Sequence, residues 1–185
     1  RPVTPRAGMD EALVFGPTFE ALARALSLRL TPEAATQFKS IGVDFERLLP
    51  AYPFETWVTA MDLGSQLVMP NASEPERHLA MGRRIVDSYG ESLVGKALMT
   101  AIRVIGPRRM LERMARNLRT ANNYTETKVT AAADGSYELW CSKVASTAFY
   151  CGMIRRGIEV AGGKSPTVEN IARDGAGATF LIRWT

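Results

Sequence analysis

An α+β fold, helical at first and closed by a small antiparallel sheet of about four strands, is what three features of this 185-residue chain predict. Apolar residues recur three and four apart in block after block from Pro17 to Arg119, the period of helices with one buried face. Beyond Asn122-Asn123 the period drops to two, with Thr125, Thr127 and Val129 alternating against Glu126, Lys128 and Thr130. Asp134-Gly135 and the run Asp174-Gly175-Ala176-Gly177 then mark two hairpin turns with a helical stretch between them. Hairpin, helix, hairpin is the order of a sheet covered on one side by helices.

Taken in order, residues 1–8 hold two prolines and two arginines and no apolar core, so they read as a flexible leader, with Met9 as a candidate start and 9–185 as one domain. Pro17 and Thr18 open a helix whose Phe19, Leu22, Ala23, Leu26 and Leu30 form one stripe. Thr31-Pro32-Glu33 starts a second, a hydroxyl cap followed by proline at the first helical position, and Gly42 stops it. Asp44 is read as capping one further turn through Leu48, and Pro50 with Pro53 makes Leu49 to Pro53 a corner. From Phe54 to Val68, Trp57, Ala60, Met61, Gly64, Leu67 and Val68 share a face, and Gly64 there suggests the close approach of another backbone. A helix from Glu74 to Ser92 places Leu79, Gly82, Val86 and Tyr89 on one side, with His78 at the margin as a partly solvated edge residue.

The stretch from Leu93 to Ile105 is apolar on nearly every side, as expected of a helix buried mid-domain. Gly106-Pro107 separates it from a basic helix, Pro107 to Arg119, with Arg109, Arg113, Arg116 and Arg119 along one side and Leu111, Met114 and Leu118 along another. At its end the side-chain amide of Asn122 or Asn123 is expected to satisfy backbone groups freed where the helix stops. Strands follow at Thr125 to Ala132 and Ser136 to Ser142, a helix from Thr147 to Val160, and strands at Pro166 to Arg173 and Thr179 to Trp184.

Composition narrows the function classes. The 23 basic against 19 acidic side chains leave +4, too small and too spread a surplus to imply nucleic acid. Cys141 and Cys151 lack paired-ligand spacing and read as reduced, buried thiols of a cytoplasmic protein. Lys96 and Arg103 interrupt the longest apolar run, which is shorter than the ~20 residues a bilayer span needs. Zinc is not called for with one histidine and two scattered cysteines, no serine sits in a nucleophile elbow, and the acids fall singly on polar faces. Gly175-Ala176-Gly177 joins two strands and is a turn, not a phosphate cradle.

Several pieces together resemble a myxobacterial paralogous domain family of unknown function. They are Val14-Phe15-Gly16, Leu48-Leu49-Pro50-Ala51-Tyr52-Pro53 followed by Trp57, Gly82-Arg83-Arg84, Leu93 through Leu98, Gly106-Pro107-Arg108-Arg109, and Asn117 through Glu126. In element order that family is similar to a superfamily holding haem nitric-oxide sensors, four-vinyl-reductase domains and the Bet-type subunits of tethering complexes. The resemblance implies an α+β fold, frequent dimerisation and, in several members, an apolar ligand cavity. Two features depart from it: His78 matches no haem-ligand position, and Cys141 with Cys151 does not reproduce the vinyl-reductase cysteine clusters.

The function read from all this is a non-enzymatic regulatory or sensory module whose helices and sheet enclose a pocket for a small lipid-like or aromatic ligand, with no cofactor. Trp57, Met61, Leu98, Ile102, Phe149 and Met153 are the candidates to line it, each of which a tight core would also explain. The alternative is a protein-binding module without a small ligand, using the arginine face of the Pro107 to Arg119 helix, whose planar forks suit carboxylates or phosphates. A homodimer is compatible with both, and an enzyme of unidentified reaction is the remaining class.

Overall fold

A computed structural model describes residues 11–185, and the expected leader and Met9 lie outside them. The chain runs β1 (Leu13–Phe15), α1 (Gly16–Leu26), a 3-10 turn (Ser27–Arg29), α2 (Pro32–Ser40), β2 (Ala51–Pro53), α3 (Phe54–Val68), α4 (Glu74–Gly90), α5 (Leu93–Glu112), α6 (Met114–Leu118), β3 (Thr127–Ala131), β4 (Tyr137–Cys141), α7 (Thr147–Val160), β5 (Thr167–Asp174) and β6 (Gly177–Arg183). The α+β class and the C-terminal sheet are as expected: four antiparallel strands in the order β3-β4-β6-β5.

Local chemistry sets the boundaries. Thr31 accepts the Ala34 amide at 3.3 Å at the start of α2, Ser73 and Glu76 form a reciprocal capping box on α4, and Ser92 accepts the Gly95 amide at 2.9 Å on α5. Gly135, with φ +81°, completes the first hairpin turn, while the Asp134 carboxylate accepts the Ser136 amide at 3.0 Å. One sheet face carries the facing pairs Leu139 with Phe180 and Cys141 with Ala178, all buried, and α7 covers it. Tyr150 of α7 stacks on Phe180 with ring centroids 6.0 Å apart.

Several expectations change. A second, two-stranded sheet, β1 with β2, sits inside the helical half, too short to show a period. Its edge is extended by a bridge from Val14 to Asn122, so the N-terminal strand is tied to the junction after α6. Asp44 does cap a single turn, its carboxylate accepting the Glu46 amide and its carbonyl the Arg47 amide, both at 3.0 Å, but the turn stops short of Leu48. Gly64 meets side chains, since a Cβ there would lie 3.0 Å from Leu22 Cδ1, whereas backbones touch between α4 and α7. A Cβ at Gly82 would strike the Phe149 carbonyl, and one at Gly152 the Leu79 carbonyl. These two glycines let the helix axes approach as closely as main chain allows.

The Leu93 to Ile105 helix is not buried. Gly95, Leu98, Met99, Ile102 and Ile105 face inward, while Leu93 and Val104 on the opposite side are 87% and 82% exposed. Apolar residues on both faces therefore looked like interior from the sequence, but only one face is covered. The basic helix is also broken. Gly106, with φ +78°, interrupts α5, and Arg113 (φ −104°, ψ 9°) separates α5 from α6, so the four arginines do not share one straight face.

Candidate functional site

The broken α5–α6 segment arches over the inner faces of α4 and α7 and leaves an apolar cavity of about 130 Å³. Ile85, Val86 and Tyr89 of α4 form one wall, with Leu98, Met99, Ile102 and Met110 of α5 beside them. Phe149, Tyr150, Met153 and Gly157 of α7 form the floor, and Met114, Asn117 and Leu118 of α6 the roof. Val14, Thr18 and Trp57 close the end nearest the small sheet. The cavity exists because α6 is a single short turn that starts at a bend, so it cannot descend onto α4 as a continuous helix would.

Of the residues singled out in the sequence, Trp57, Leu98, Ile102, Phe149 and Met153 line this space. Met61 does not: it is fully buried on α3 within the core cluster. Three further methionines, Met99, Met110 and Met114, and three tyrosines, Tyr89, Tyr124 and Tyr150, complete the lining without being among the sequence's pocket candidates, although Met114, Leu118 and Tyr89 lie on its apolar stripes. Their convergence depends on the bend at Arg113, and a single residue out of helical geometry leaves the spacing of its neighbours unchanged.

Polar groups around the cavity are mostly committed. Tyr89 donates to the Thr120 hydroxyl at 3.1 Å, linking α4 to the strand entry across the rim, and Thr120 donates to the Asn117 carbonyl at 2.9 Å. Thr18 donates to the Ala121 carbonyl at 3.3 Å. Asn122, buried, accepts the amides of Tyr124 and Thr125 at 3.2 and 2.9 Å, and Asn123 accepts the Leu13 amide at 2.8 Å and donates to the Glu11 carbonyl at 3.0 Å. Both asparagines thus hold the junction where helix passes to strand. Burial pushes the Tyr124 and Tyr150 hydroxyls upward, so both stay protonated at neutral pH.

Arg109, Arg113, Arg116 and Arg119 are exposed on both sides of the Arg113 bend, and among the described residues no acid lies within ion-pair distance of them. Only their neighbour Arg108 is paired, with Glu112 at 2.9 Å. The cysteines are buried and unpaired, and burial raises the Cys141 thiol to about 12, which keeps it inert.

His78 is buried rather than solvated, which corrects its reading as an edge residue. Ser146, the N-cap of α7, accepts the Phe149 amide at 3.3 Å and directs its hydroxyl to His78 Nδ1 at 2.9 Å, while His78 Nε2–H donates to Asp62 at 2.9 Å. Arg77 holds the same carboxylate at 2.9 Å. Burial works to raise the Asp62 carboxyl, but the Arg77 and His78 hydrogen bonds outweigh it and hold it below its ordinary value. Serine, imidazole and carboxylate in line invite comparison with a nucleophilic triad. The serine is committed to the cap, however, and none of the three lines the cavity, so the chain of bonds acts as a brace joining α3, α4 and α7.

Comparison with solved structures gives the fold a setting. The chain is similar to an H-NOX protein from S. oneidensis in the Fe(II)NO ligation state, at 8% identity and TM-score 0.69, covering 92% of this chain and 99% of that one. An oxygen-binding H-NOX domain related to soluble guanylate cyclases, in its oxygen complex, matches at 14% identity and TM-score 0.65 over 90% and 91% of the two chains. A structure described by haem redox potential and porphyrin distortion matches at 14% and 0.66 over 92% and 93%. At these identities the likeness is one of fold. No curated protein matches the sequence. Residues 12–185 match the model of a family described as "Protein of unknown function (DUF2378)", and the chain belongs to that family.

Proposed function

We propose that this protein is a sensory module that holds a small apolar molecule, without haem, in the cavity between α4, α5, α6 and α7. The observation that carries the reading is the lining itself: about 130 Å³ of apolar space, bounded by aromatic and thioether side chains, in an H-NOX-like fold. An apolar cavity of roughly this size stays dry and takes up a benzene-sized molecule.

Haem, which the similar H-NOX structures bring to mind through their Fe(II) and bound gases, does not fit the donors present. The lining holds no imidazole and no thiol. His78 has both ring nitrogens engaged and points into the α3–α4–α7 brace. A tyrosinate ligand would have to form against the burial that keeps Tyr124 and Tyr150 protonated. Four thioethers remain, and methionine serves haem chiefly as the second ligand beside a histidine.

Within this reading the element order shared with haem nitric-oxide sensors, vinyl-reductase domains and Bet-type subunits reflects one ligand-enclosing scaffold, and a myxobacterial origin of the family belongs to the same reading. The α5 helix is the natural output element, because one face lines the cavity while the other, with Leu93 and Val104, is uncovered. Organic extraction of the purified protein followed by mass spectrometry tests the assignment. A stoichiometric small apolar compound is expected; protein that yields none, and whose melting temperature no benzene-sized compound raises, contradicts it.

A further inference from the structure

We propose that Asn117 is the recognition group of the cavity, and that the ligand is a neutral, ring-sized apolar molecule carrying one hydrogen-bond acceptor such as a carbonyl or ether oxygen. This rests on the cavity being a ligand site. Asn117 Nδ2 is shut off from water and has no hydrogen-bond partner, and among the described residues it is the one cavity-lining polar side-chain atom in that condition. Folded proteins pair the large majority of such atoms, because an unpaired buried donor is costly, so one left without a partner on a residue of the cavity wall is a group held ready for something that enters.

The surroundings narrow the chemistry. Among the described residues no charged side chain lines the space, so a charged ligand would be desolvated without compensation. The neighbouring hydroxyls of Thr18, Thr120 and Tyr89 already donate to protein oxygens, and although the Trp57 indole, the Asn122 amide and the Tyr124 hydroxyl also donate to no protein atom among the described residues, the amide N–H of Asn117 is the one of these donors that is fully buried. An acceptor on the ligand is what that donor needs. Met99, Met110, Met114 and Met153 suit an aromatic body, since thioether sulfur packs well against ring edges. The backbone of Asn117 is itself fixed, its carbonyl accepting from Thr120 at 2.9 Å, so the side chain is presented from an anchored residue.

Acetophenone and cumene, matched in shape and differing in the carbonyl, separate this proposal from the reading beneath it. Calorimetric titration of the wild-type protein is expected to show acetophenone bound roughly ten-fold tighter than cumene, the worth of one hydrogen bond in a buried site. Asn117→Leu should melt no lower than wild type, because it removes an unpaired polar atom, while binding both compounds equally. Equal affinities in the wild-type protein overturn the role of Asn117 and leave the cavity reading intact. Binding of neither compound overturns both. The wild-type comparison needs no variant, so a poorly folding Asn117→Leu does not rescue the proposal.

Discussion

The α4–α7 crossing and the α5–α6 arch are built from the same kinds of residue and pack in opposite ways. At the crossing, Gly82 and Gly152 bring main chain against main chain. Arg83 then clamps Glu159 through two bonds of 2.9 Å, Arg156 joins Glu159 at 3.0 Å and Asp87 at 2.6 Å, and the His78 brace ties in α3. Across the cavity, α5 is bent at Gly106 and stops at Arg113, α6 is five residues long, and a buried amide goes unpaired. The contrast teaches where this fold can respond: an interface with no free volume has one arrangement, while an arch over empty space can settle differently when the space is filled.

The comparison breaks most readily at the glycines. Gly82→Ala or Gly152→Ala forces a methyl into a carbonyl and is expected to cost about 3 kcal/mol or more, a fall of roughly 10 °C in melting temperature for a chain this long. Gly157→Ala, on the cavity side of α7, would place its methyl 3.4 Å from Met110 Cε and should shift melting by only a degree or two. Circular dichroism melts decide it, and equal effects at Gly82 and Gly157 would erase the distinction between the two regions.

Next in size is the brace. His78→Leu leaves the Ser146 hydroxyl and one Asp62 lone pair without their partner, a loss of ~1–3 kcal/mol that thermal melts should register as several degrees. Cells supplied with a haem precursor should yield wild-type protein without a Soret band. A stoichiometric band lost in the variant would make His78 an iron ligand and overturn its reading as a brace.

At the junction, Asn122→Ala removes the acceptor for two amides and should lower melting by a few degrees, as losing ~1 kcal/mol does in a domain of this size. Asn123→Ala, which frees β1 from the same corner, should act in the same direction, and unchanged melts for both would show that the corner is held by other contacts.

Acid should act on the tight region. Asp62 is held low as described, and hydrogen bonding from Arg83, opposed by burial and aided by Arg156, holds Glu159 low. A carboxyl depressed in the folded state adds stability above its ordinary value, here 3.8 for Asp62 and 4.5 for Glu159, and loses it as pH falls through the folded value. Stability should therefore decline below about pH 4.5, and less steeply in Glu159→Gln. Identical acid profiles would show that Arg83 does little for Glu159. Smallest of all, replacing Arg109, Arg113 and Arg116 together by Ser should change stability by less than about 0.5 kcal/mol, because none is buried or paired among the described residues. An unfolded triple variant would show these arginines to be structural.

Legibility in the sequence followed the length of each signal. Helices with several turns of one-sided apolar spacing and strands next to Asp-Gly turns were readable, since period and turn chemistry are local. The strands Leu13–Phe15 and Ala51–Pro53 were not, because three residues carry no period and their pairing joins parts of the chain far apart. The exposure of Leu93 and Val104 was hidden for a related reason: composition shows that both faces of α5 are apolar, and only tertiary packing decides which is covered. Much of the cavity wall was legible as a set of apolar faces. Asn117 was not, since an amide on a short helix becomes informative only when its missing partner is seen.

Hydrogen exchange with and without saturating acetophenone tests most directly the claim that the arch, and not the crossing, is the responsive part. Slowed exchange confined to residues 93–126, with 79–86 and 147–156 unchanged, is the expected result. Protection spread evenly over both regions, or no change in either, would contradict it.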